Sequence, residues 1–205
     1  MRWSAVVLAA GTSSRMEGRN KMLLPVGGKP VIRHTVERVL AAGPQEVVVV
    51  TGYKGRDVGA AVADLPVNLQ PNLRYEEGQM VSVAAGVAAL AKATDVVMVC
   101  LGDMVLLRTQ DYVDLVAAYE SASECSIVIP YHLEQRGNPI AFAVSYAPEV
   151  IAGERKLGCR KLANAYPDET YRFDVDHDRY TTDIDTPDDY TRICERLERD
   201  ENATA

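Results

Sequence analysis

A run of small residues, Ala9-Ala10-Gly11-Thr12, separates an apolar segment from two cations, Arg15 and Lys21. Small residues after a strand leave the backbone N–H groups open to a ligand, because no bulky side chain blocks its approach. These N–H groups suit phosphate oxygens, and a guanidinium and an ammonium nearby add positive charge. The segment predicts a site for a nucleoside triphosphate. An ordinary strand-to-helix turn with two solvated cations is the alternative.

A carboxylate, Asp103, follows the apolar run Val96–Leu101 and Gly102. A carboxylate just past a buried strand can hold a divalent metal, and the glycine before it lets the backbone turn sharply. Mg²⁺ bound to a nucleotide takes only one or two protein carboxylates, since phosphates and water complete its shell. Asp103 is therefore a candidate metal ligand. The alternative is an aspartate that caps a helix or stabilises a turn.

A second acidic segment, Asp183-Ile184-Asp185-Thr186-Pro187-Asp188-Asp189, comes near the end of the chain. Asp188 and Asp189 suit the first turn of the helix that Pro187 begins. In an extended segment Asp183 and Asp185 point the same way, so either could reach a metal. We choose Asp185 as the second ligand. N-capping of the helix by Asp185 or Thr186 is the competing interpretation.

Two further segments could contact substrates. Gly78 and Gln79 precede a predicted helix and Ser82 lies in its first turn, where small and amide side chains could hydrogen-bond a base. Ser82 could equally satisfy helix N–H groups.

On the side expected to bind the second substrate, the tight turn Arg136–Pro139 carries Asn138, and Glu154–Lys161 holds four cations, among them Lys156 and Arg160. These cations could bind a phosphate of a second substrate, or they could simply form a basic helix start.

These side chains must be positioned by alternating strands and helices. The strands are predicted at Ala5–Leu8, Glu46–Val50, Val67–Leu69, Asp95–Leu101, Ser126–Ile129, Ile140–Val144 and Thr170–Val175. The helices are predicted at Val31–Ala42, Val58–Leu65, Met80–Ala91, Gln110–Ala122, Arg160–Ala165 and Pro187–Arg199. This alternation predicts an α/β fold with a mainly parallel sheet, which binds ligands beyond the carboxyl ends of its strands. Ala9–Arg15 and Gly102–Met104 should therefore be neighbours.

Length and composition narrow the class of protein. The 205 residues suit one domain, predicted at 1–199 with a polar, frayed tail at 200–205. The formal net charge of -7 argues against nucleic-acid binding, which needs an excess of Lys and Arg. No apolar run is long enough to span a membrane and no signal peptide is recognisable. The four cysteines have no metal-ligand spacing. We expect a cytoplasmic protein with reduced thiols.

Together these motifs resemble the molybdenum-cofactor group of small nucleotidyltransferases, especially those that use CTP. The motifs that match are Leu8-Ala9-Ala10-Gly11-x-Ser13-x-Arg15-Met16, Asn20-Lys21-x-Leu23-Leu24-Pro25, Gly28-Lys29-Pro30, Gly78-Gln79-x-x-Ser82-Val83, Leu101-Gly102-Asp103 and Asp183-Ile184-Asp185-Thr186-Pro187. Gly137-Asn138-Pro139 and Gly158-Cys159-Arg160 are weaker matches. The resemblance covers nearly the whole chain. It implies a three-layer, Rossmann-like (glycosyltransferase-A-like) nucleotidyltransferase fold.

The resemblance also implies roles for individual residues. Ala9–Gly11 would line the base and ribose site, with Thr12, Gly78 and Ser82 as further nucleotide contacts. Arg15 and Lys21 would hold the triphosphate and act with Asp103 in catalysis, while Asp103 and Asp185 would bind Mg²⁺, or Mn²⁺ in its place. Relatives that transfer a guanylyl group tend to have glycine at position 10, so Ala10 favours CTP. Asn138, Lys156 and Arg160 would contact a phosphorylated acceptor such as molybdopterin, and a molybdoenzyme would receive the finished cofactor.

The sequence departs from the family at two places. Glu17 stands where relatives have glycine directly after the methionine, so the geometry of the loop should differ. Met104-Val105 follows Asp103 where relatives carry a proline two positions on, which weakens the pterin assignment. Two other functions remain open. One is nucleotidyl transfer to a sugar or alditol phosphate, and the other is a non-catalytic nucleotide-binding or cofactor-delivery protein.

Overall fold

The structure, a computed structural model, describes residues 1–122, 124–152 and 159–202. Its strands are β1 (Trp3–Ala9), β2 (Pro25–Val26), β3 (Lys29–Pro30), β4 (Val47–Thr51), β5 (Asn68–Pro71), β6 (Val96–Leu101), β7 (Ile127–His132), β8 (Gln135–Arg136), β9 (Ile140–Ala143) and β10 (Thr170–Val175). The main sheet has the order β10-β7-β9-β6-β1-β4-β5, and β8 pairs with β7. Strands β8 and β9 run antiparallel to their neighbours, and the other strands of this sheet share one direction. The predicted mainly parallel sheet is confirmed.

Helices cover both faces of the sheet. They are α1 (Val31–Ala41), α2 (Gly55–Ala60), α3 (Gln79–Ala88), α4 (Thr109–Ser121), α5 (Ala147–Ala152), α6 (Cys159–Ala165) and α7 (Pro187–Asn202). Successive residues of β1 point to opposite faces, so Val7 packs with α1, α2 and α4, whereas Val6 packs with α3, α5 and α6. Both valines are fully buried, as expected for a central strand of a doubly covered sheet. The three-layer α/β architecture is confirmed.

The central strands set the position of the ligand edge. β1 lies between β4 and β6, with Leu8 in register with Val50 on one side and Leu101 on the other. The chain therefore leaves β1 and β6 at the same edge, where the Gly102 N–H donates to the Leu8 carbonyl at 2.9 Å. The expected proximity of Ala9–Arg15 and Gly102–Met104 follows from this register.

Several element boundaries differ from the predicted ones. The second helix is Gly55–Ala60 rather than Val58–Leu65, and the third ends at Ala88 rather than Ala91 because the Glu46 carboxylate accepts the N–H groups of Ala91 and Lys92. The two-residue strands β2, β3 and β8 are too short to show a periodic pattern. The short helix α5 was likewise not predicted.

The last helix is longer than predicted. It continues past Arg199 to Asn202, and Arg108 donates to the Asp200 carboxylate at 3.1 Å. The first three residues of the tail predicted at 200–205 therefore belong to α7, and fraying of the tail stays a prediction. None of the helices in the described part of the chain combines the length and the apolar character that crossing a membrane requires.

Candidate active site

The loop that leaves β1 is fixed by one buried side chain and by left-handed backbone. Met16 is fully buried in a small core beneath α7. Ser13 and Glu17 have φ angles of 53° and 51°, and Gly18 has a φ of 81°. Residues other than glycine rarely adopt this region. Glu17 is thus accommodated by left-handed backbone, and a difference of this loop from that of relatives stays a prediction.

Lys21 is held in place by its neighbours on the loop. Asn20 is buried, its Oδ1 accepts the Met22 N–H at 2.9 Å, and its Nδ2 donates to the Tyr53 carbonyl at 2.9 Å. The Ser13 hydroxyl accepts the Lys21 N–H at 3.1 Å. These bonds start a short 3₁₀ turn, Lys21–Leu23, that points the lysine side chain towards the sheet edge.

Asp103 follows β6 on a tightly packed glycine. A Cβ on Gly102 would lie 2.9 Å from the Leu8 carbonyl oxygen, so only glycine fits there. The Thr35 hydroxyl donates to the Gly102 carbonyl at 3.0 Å. Beyond Asp103, Arg38 donates to the carbonyls of Val105 and Leu107. These bonds fix the segment in which relatives carry a proline.

The start of α7 decides between the two interpretations of Asp185. The Asp189 carboxylate accepts the Thr186 N–H at 2.9 Å, and the Thr186 hydroxyl accepts the Asp189 N–H at 3.2 Å. This reciprocal pair is a capping box with Thr186 as N-cap. The Asp185 side chain is therefore free to face the sheet edge.

Cations and carboxylates from three distant segments meet at this edge. The Lys21 ammonium contacts Asp103 Oδ2 and donates to Asp185 Oδ1 at 2.9 Å, and Arg15 donates to Asp185 Oδ2 at 2.8 Å. Asp183 completes the cluster, because oxygens of Asp103, Asp183 and Asp185 all lie within 4.8 Å of one another. The sequence predicted Asp185 as the second ligand, and the structure brings Asp183 to the same place beside it.

The charges of the cluster are mutually dependent. Burial disfavours the Lys21 ammonium, but the carboxylates of Asp103 and Asp185 outweigh it and raise its pKa. Burial also opposes ionisation of Asp185, yet Lys21 and Arg15 together lower its pKa. For Asp183, burial and the charges of Asp103 and Asp185 outweigh the opposing charge of Lys21 and raise the pKa to about 6. The carboxylates thus carry more negative charge than the lysine alone offsets.

The residues present fit a divalent cation. Asp103 is 5% exposed, and its Oδ1 has no hydrogen-bond partner among the described residues. A buried carboxylate oxygen without a partner is costly, and a hard cation would satisfy it. Carboxylate oxygens are the protein ligands that Mg²⁺ and Mn²⁺ prefer. Asp103, Asp183 and Asp185 can therefore hold such an ion.

The cluster forms one end of a cleft of about 440 Å³. Of the residues predicted to bind nucleotide or metal, the cleft is lined by Ala10, Gly11, Thr12, Lys21, Gly78, Ser82, Asp103 and Asp185. Arg15 lies outside the lining, paired with Asp185 and with a side chain 64% exposed. Ala9 differs from its prediction, because strand alternation turns its side chain into the core beneath α1 while Leu8 and Ala10 face the cleft.

The lining of the cleft also includes residues that the sequence did not assign. Tyr75 lines the cleft, and a Cβ on Gly52 would lie 2.7 Å from both the Tyr75 Cβ and the Ala10 carbonyl oxygen. Ser82 is buried and its hydroxyl accepts from the Asn72 amide at 2.9 Å, so it does not cap α3. An aromatic residue in the segment before a helix was the available signal for Tyr75.

A second cleft of about 810 Å³ adjoins the first. Gln79 and Leu101 line both clefts, so the two share a wall at the sheet edge. The second cleft is lined by Asn138, as expected for a substrate-side residue, and by Lys161, the last of the four cations in Glu154–Lys161. Lys156 and the Arg160 side chain lie outside the part of the chain that the structure describes.

A mainly parallel sheet that gathers cations and carboxylates at its carboxyl edge defines an α/β protein with its ligand site at that edge. Residues 5–170 match the family described as the MobA-like NTP transferase domain. The chain belongs to this family. The predicted resemblance to a nucleotidyltransferase family is therefore confirmed.

Individual relatives agree with the family. The bifunctional protein GlmU of Rhizobium johnstonii is 38% identical over 135 residues, which are 64% of this chain and 29% of the relative. This chain thus spans less than a third of that protein. A nucleotidyl transferase from Methanothermobacter superposes with a TM-score of 0.82 at 25% identity, over 97% of this chain and 98% of that one. A Mycobacterium tuberculosis protein in complex with manganese superposes with a TM-score of 0.77 at 22% identity, over 95% and 99% of the two chains.

Proposed function

We propose that the protein transfers a nucleotidyl group from CTP to a phosphorylated acceptor, most specifically molybdopterin, and releases pyrophosphate. One observation supports this function above the others. Lys21 from the loop after β1, Asp103 from the end of β6 and Asp185 from the start of α7 converge on one point of the cleft. A triphosphate and its metal need cations and carboxylates side by side, and this edge of the sheet supplies both.

The reaction needs positioning and charge neutralisation rather than a protein nucleophile. An oxygen of the acceptor phosphate attacks the α-phosphorus of CTP, and the bond from that phosphorus to the bridging oxygen of the β-phosphate breaks in line. The leaving group keeps the electron pair and departs as pyrophosphate. Lys21, with Arg15 held beside it by Asp185, would offset the charge that develops on the phosphate oxygens.

Asp103 and Asp185, with Asp183 beside them, would hold Mg²⁺ or, in its place, Mn²⁺. When bound, the ion would neutralise phosphate charge and act as a Lewis acid. The complex of the Mycobacterium tuberculosis relative with manganese supports a divalent ion in this fold. The bound ion and Lys21 would then together neutralise the negative charge of the triphosphate.

The neighbouring cleft suits a bulky acceptor. Its volume of about 810 Å³ is larger than that of the nucleotide cleft, and Gln79 and Leu101 belong to both. Its lining combines apolar side chains such as Ile140 with the polar groups of Asn138 and Lys161. This largely polar lining supports a hydrogen-bonding acceptor that carries a phosphate. A molybdoenzyme would receive the product.

Ala10 supports CTP as the donor. It is 4% exposed and faces the cleft, where a methyl group leaves less room for a purine than a hydrogen does. The Ala10→Gly variant should therefore gain activity with GTP relative to CTP. An unchanged ratio of the two kcat/KM values would remove this support for a pyrimidine.

The function is tested by measuring pyrophosphate release from CTP, GTP, ATP and UTP with Mg²⁺ and a panel of acceptors. The panel contains molybdopterin, a sugar 1-phosphate and an alditol phosphate. The proposal expects release that requires both CTP and molybdopterin. Saturable nucleotide binding without release under any combination would instead identify a binding or cofactor-delivery protein.

A further inference from the structure

A 3₁₀ turn, Asp178–Thr181, directly precedes the carboxylates of the metal cluster. We call it the anchor turn. Only Thr182 separates it from Asp183, so its position fixes where the acidic segment begins. The hydroxyls of Thr181 and Thr182 both donate to the Asp178 carbonyl, at 3.0 and 2.9 Å. The turn and the start of the acidic segment therefore form one hydrogen-bonded unit.

One side of the anchor turn is fastened to α4 through Asp111. This carboxylate is 1% exposed and accepts two bonds from the Arg179 guanidinium, at 2.8 and 2.6 Å. The Tyr180 hydroxyl donates to the Asp111 carbonyl at 2.5 Å, and the Tyr180 ring stacks on His177. Burial opposes ionisation of Asp111, but Arg179 and the Arg108 N–H lower its pKa, so it carries a full charge at neutral pH. Bidentate pairs of this kind fix geometry as well as adding energy.

The other side of the anchor turn holds the acceptor-side loop. The Asn138 N–H donates to the Tyr180 carbonyl at 2.8 Å. Gly137 packs so closely that an added Cβ would lie 2.5 Å from the same carbonyl oxygen. The tight turn that carries Asn138 therefore cannot keep its position if Tyr180 moves.

We propose that Asp111 is a positioning residue that fixes the metal carboxylates and the acceptor-side loop relative to each other through the anchor turn. Asp111 lines neither cleft, so it would act through its contacts with Arg179, Tyr180 and His177. Only the consequence of this inference for catalysis rests on the proposed function. Independently of that function, loss of the Asp111 charge should loosen two loops that are far apart in the sequence.

The test compares the full-length Asp111→Asn variant with a matched control, Glu46→Gln. Glu46 is also a buried carboxylate that fastens loops, but it lies just before β4, at the opposite end of the strands. The first readout is Mn²⁺ affinity without nucleotide, from the paramagnetic resonance signal of the free ion. The second is hydrogen exchange of the Asn138 amide. Tyr180→Phe, which removes a single hydroxyl, serves as a milder variant if Asp111→Asn does not fold.

We expect Asp111→Asn to bind Mn²⁺ about tenfold more weakly, the usual size of such an effect on metal ligands. Exchange at Asn138 should accelerate as well, and Tyr180→Phe should change both readouts in the same direction to a smaller extent. Glu46→Gln should change neither, whatever it does to thermal stability. Wild-type affinity and exchange in both anchor variants would overturn the proposal. Failure of the wild-type protein to bind Mn²⁺ would count against the proposed metal site. The exchange rate of the Asn138 amide would then test by itself whether Asp111 fixes the anchor turn.

Discussion

Replacement of Lys21 by methionine should have opposite effects on metal binding and on turnover. The ammonium contacts Asp103 and donates to Asp185 at 2.9 Å, and its side chain is 13% exposed. It therefore pairs with two of the carboxylates that would hold a divalent ion. A divalent ion that binds without nucleotide would compete with the lysine for these carboxylates, whereas a triphosphate would draw the lysine towards its own oxygens.

The size of the effect follows from those two bonds. A hydrogen bond between charged groups contributes about 1.5–3 kcal/mol net. Loss of even one hydrogen bond from Lys21 to the carboxylates therefore corresponds to a change in Mn²⁺ affinity of at least about tenfold, since a difference of about 1.4 kcal/mol is a factor of ten. Lys21→Met should therefore bind Mn²⁺ at least about tenfold more tightly than wild type in the absence of nucleotide. Turnover should fall by about 10²–10³-fold, the typical loss on removal of one group that stabilises the transition state.

Both quantities can be measured on one preparation, by Mn²⁺ titration and by pyrophosphate release. Lys92→Met is the matched control, because its ammonium donates to the Gln45 carbonyl, before the start of β4 and away from the cleft. A Lys21→Met protein that binds Mn²⁺ no more tightly than wild type would refute the competition for the carboxylates. Unchanged turnover would refute the role of Lys21 towards the triphosphate.

Three further predictions concern the scaffold. Asp111→Asn should destabilise the fold by about 3 kcal/mol, since it leaves Arg179 unpaired. The folded-state pKa of Asp111 is lowered. The extra stability of the wild type over Asp111→Asn should therefore be complete above about pH 5 and should shrink below about pH 3.9, as the carboxylate protonates. Melting curves recorded against pH would show this dependence. Gly137→Ala places a Cβ 2.5 Å from the Tyr180 carbonyl oxygen and should cost about 1–3 kcal/mol in urea unfolding. Gly86→Ala, whose Cβ would lie 2.3 Å from a methyl of Val6, should show a comparable loss of unfolding free energy, and wild-type midpoints in either glycine variant would contradict the packing.

The mainly parallel sheet and the convergence at its edge were predictable because both follow from chain-local signals. Long apolar runs such as Val96–Leu101 identify buried parallel strands, and parallel strands end at the same edge. That geometry alone brings Asp103 close to the loop that carries Lys21. The capping box at Thr186 also has a sequence signature, and it frees Asp185.

Other features depend on partners that only the folded chain brings together. β1 ends at Ala9 rather than at the predicted Leu8. Ala9 therefore still follows the alternation of the strand, and its side chain points to the face opposite that of Leu8. The end of α3 is set by Glu46, more than forty residues away in the sequence. The bonds of Asp111 to Arg179 span 68 residues, and no local pattern predicts which charges will pair.

We propose that Lys21, Asp103 and Asp185 together bind a triphosphate and its metal ion. A crystal structure of the protein with Mn²⁺ and a non-hydrolysable CTP analogue tests it most directly, because anomalous scattering locates the metal. We expect manganese on the carboxylates of Asp103 and Asp185 and the Lys21 ammonium moved onto phosphate oxygens. Manganese bound elsewhere, or a lysine that still bridges the two carboxylates beside a bound nucleotide, would contradict it.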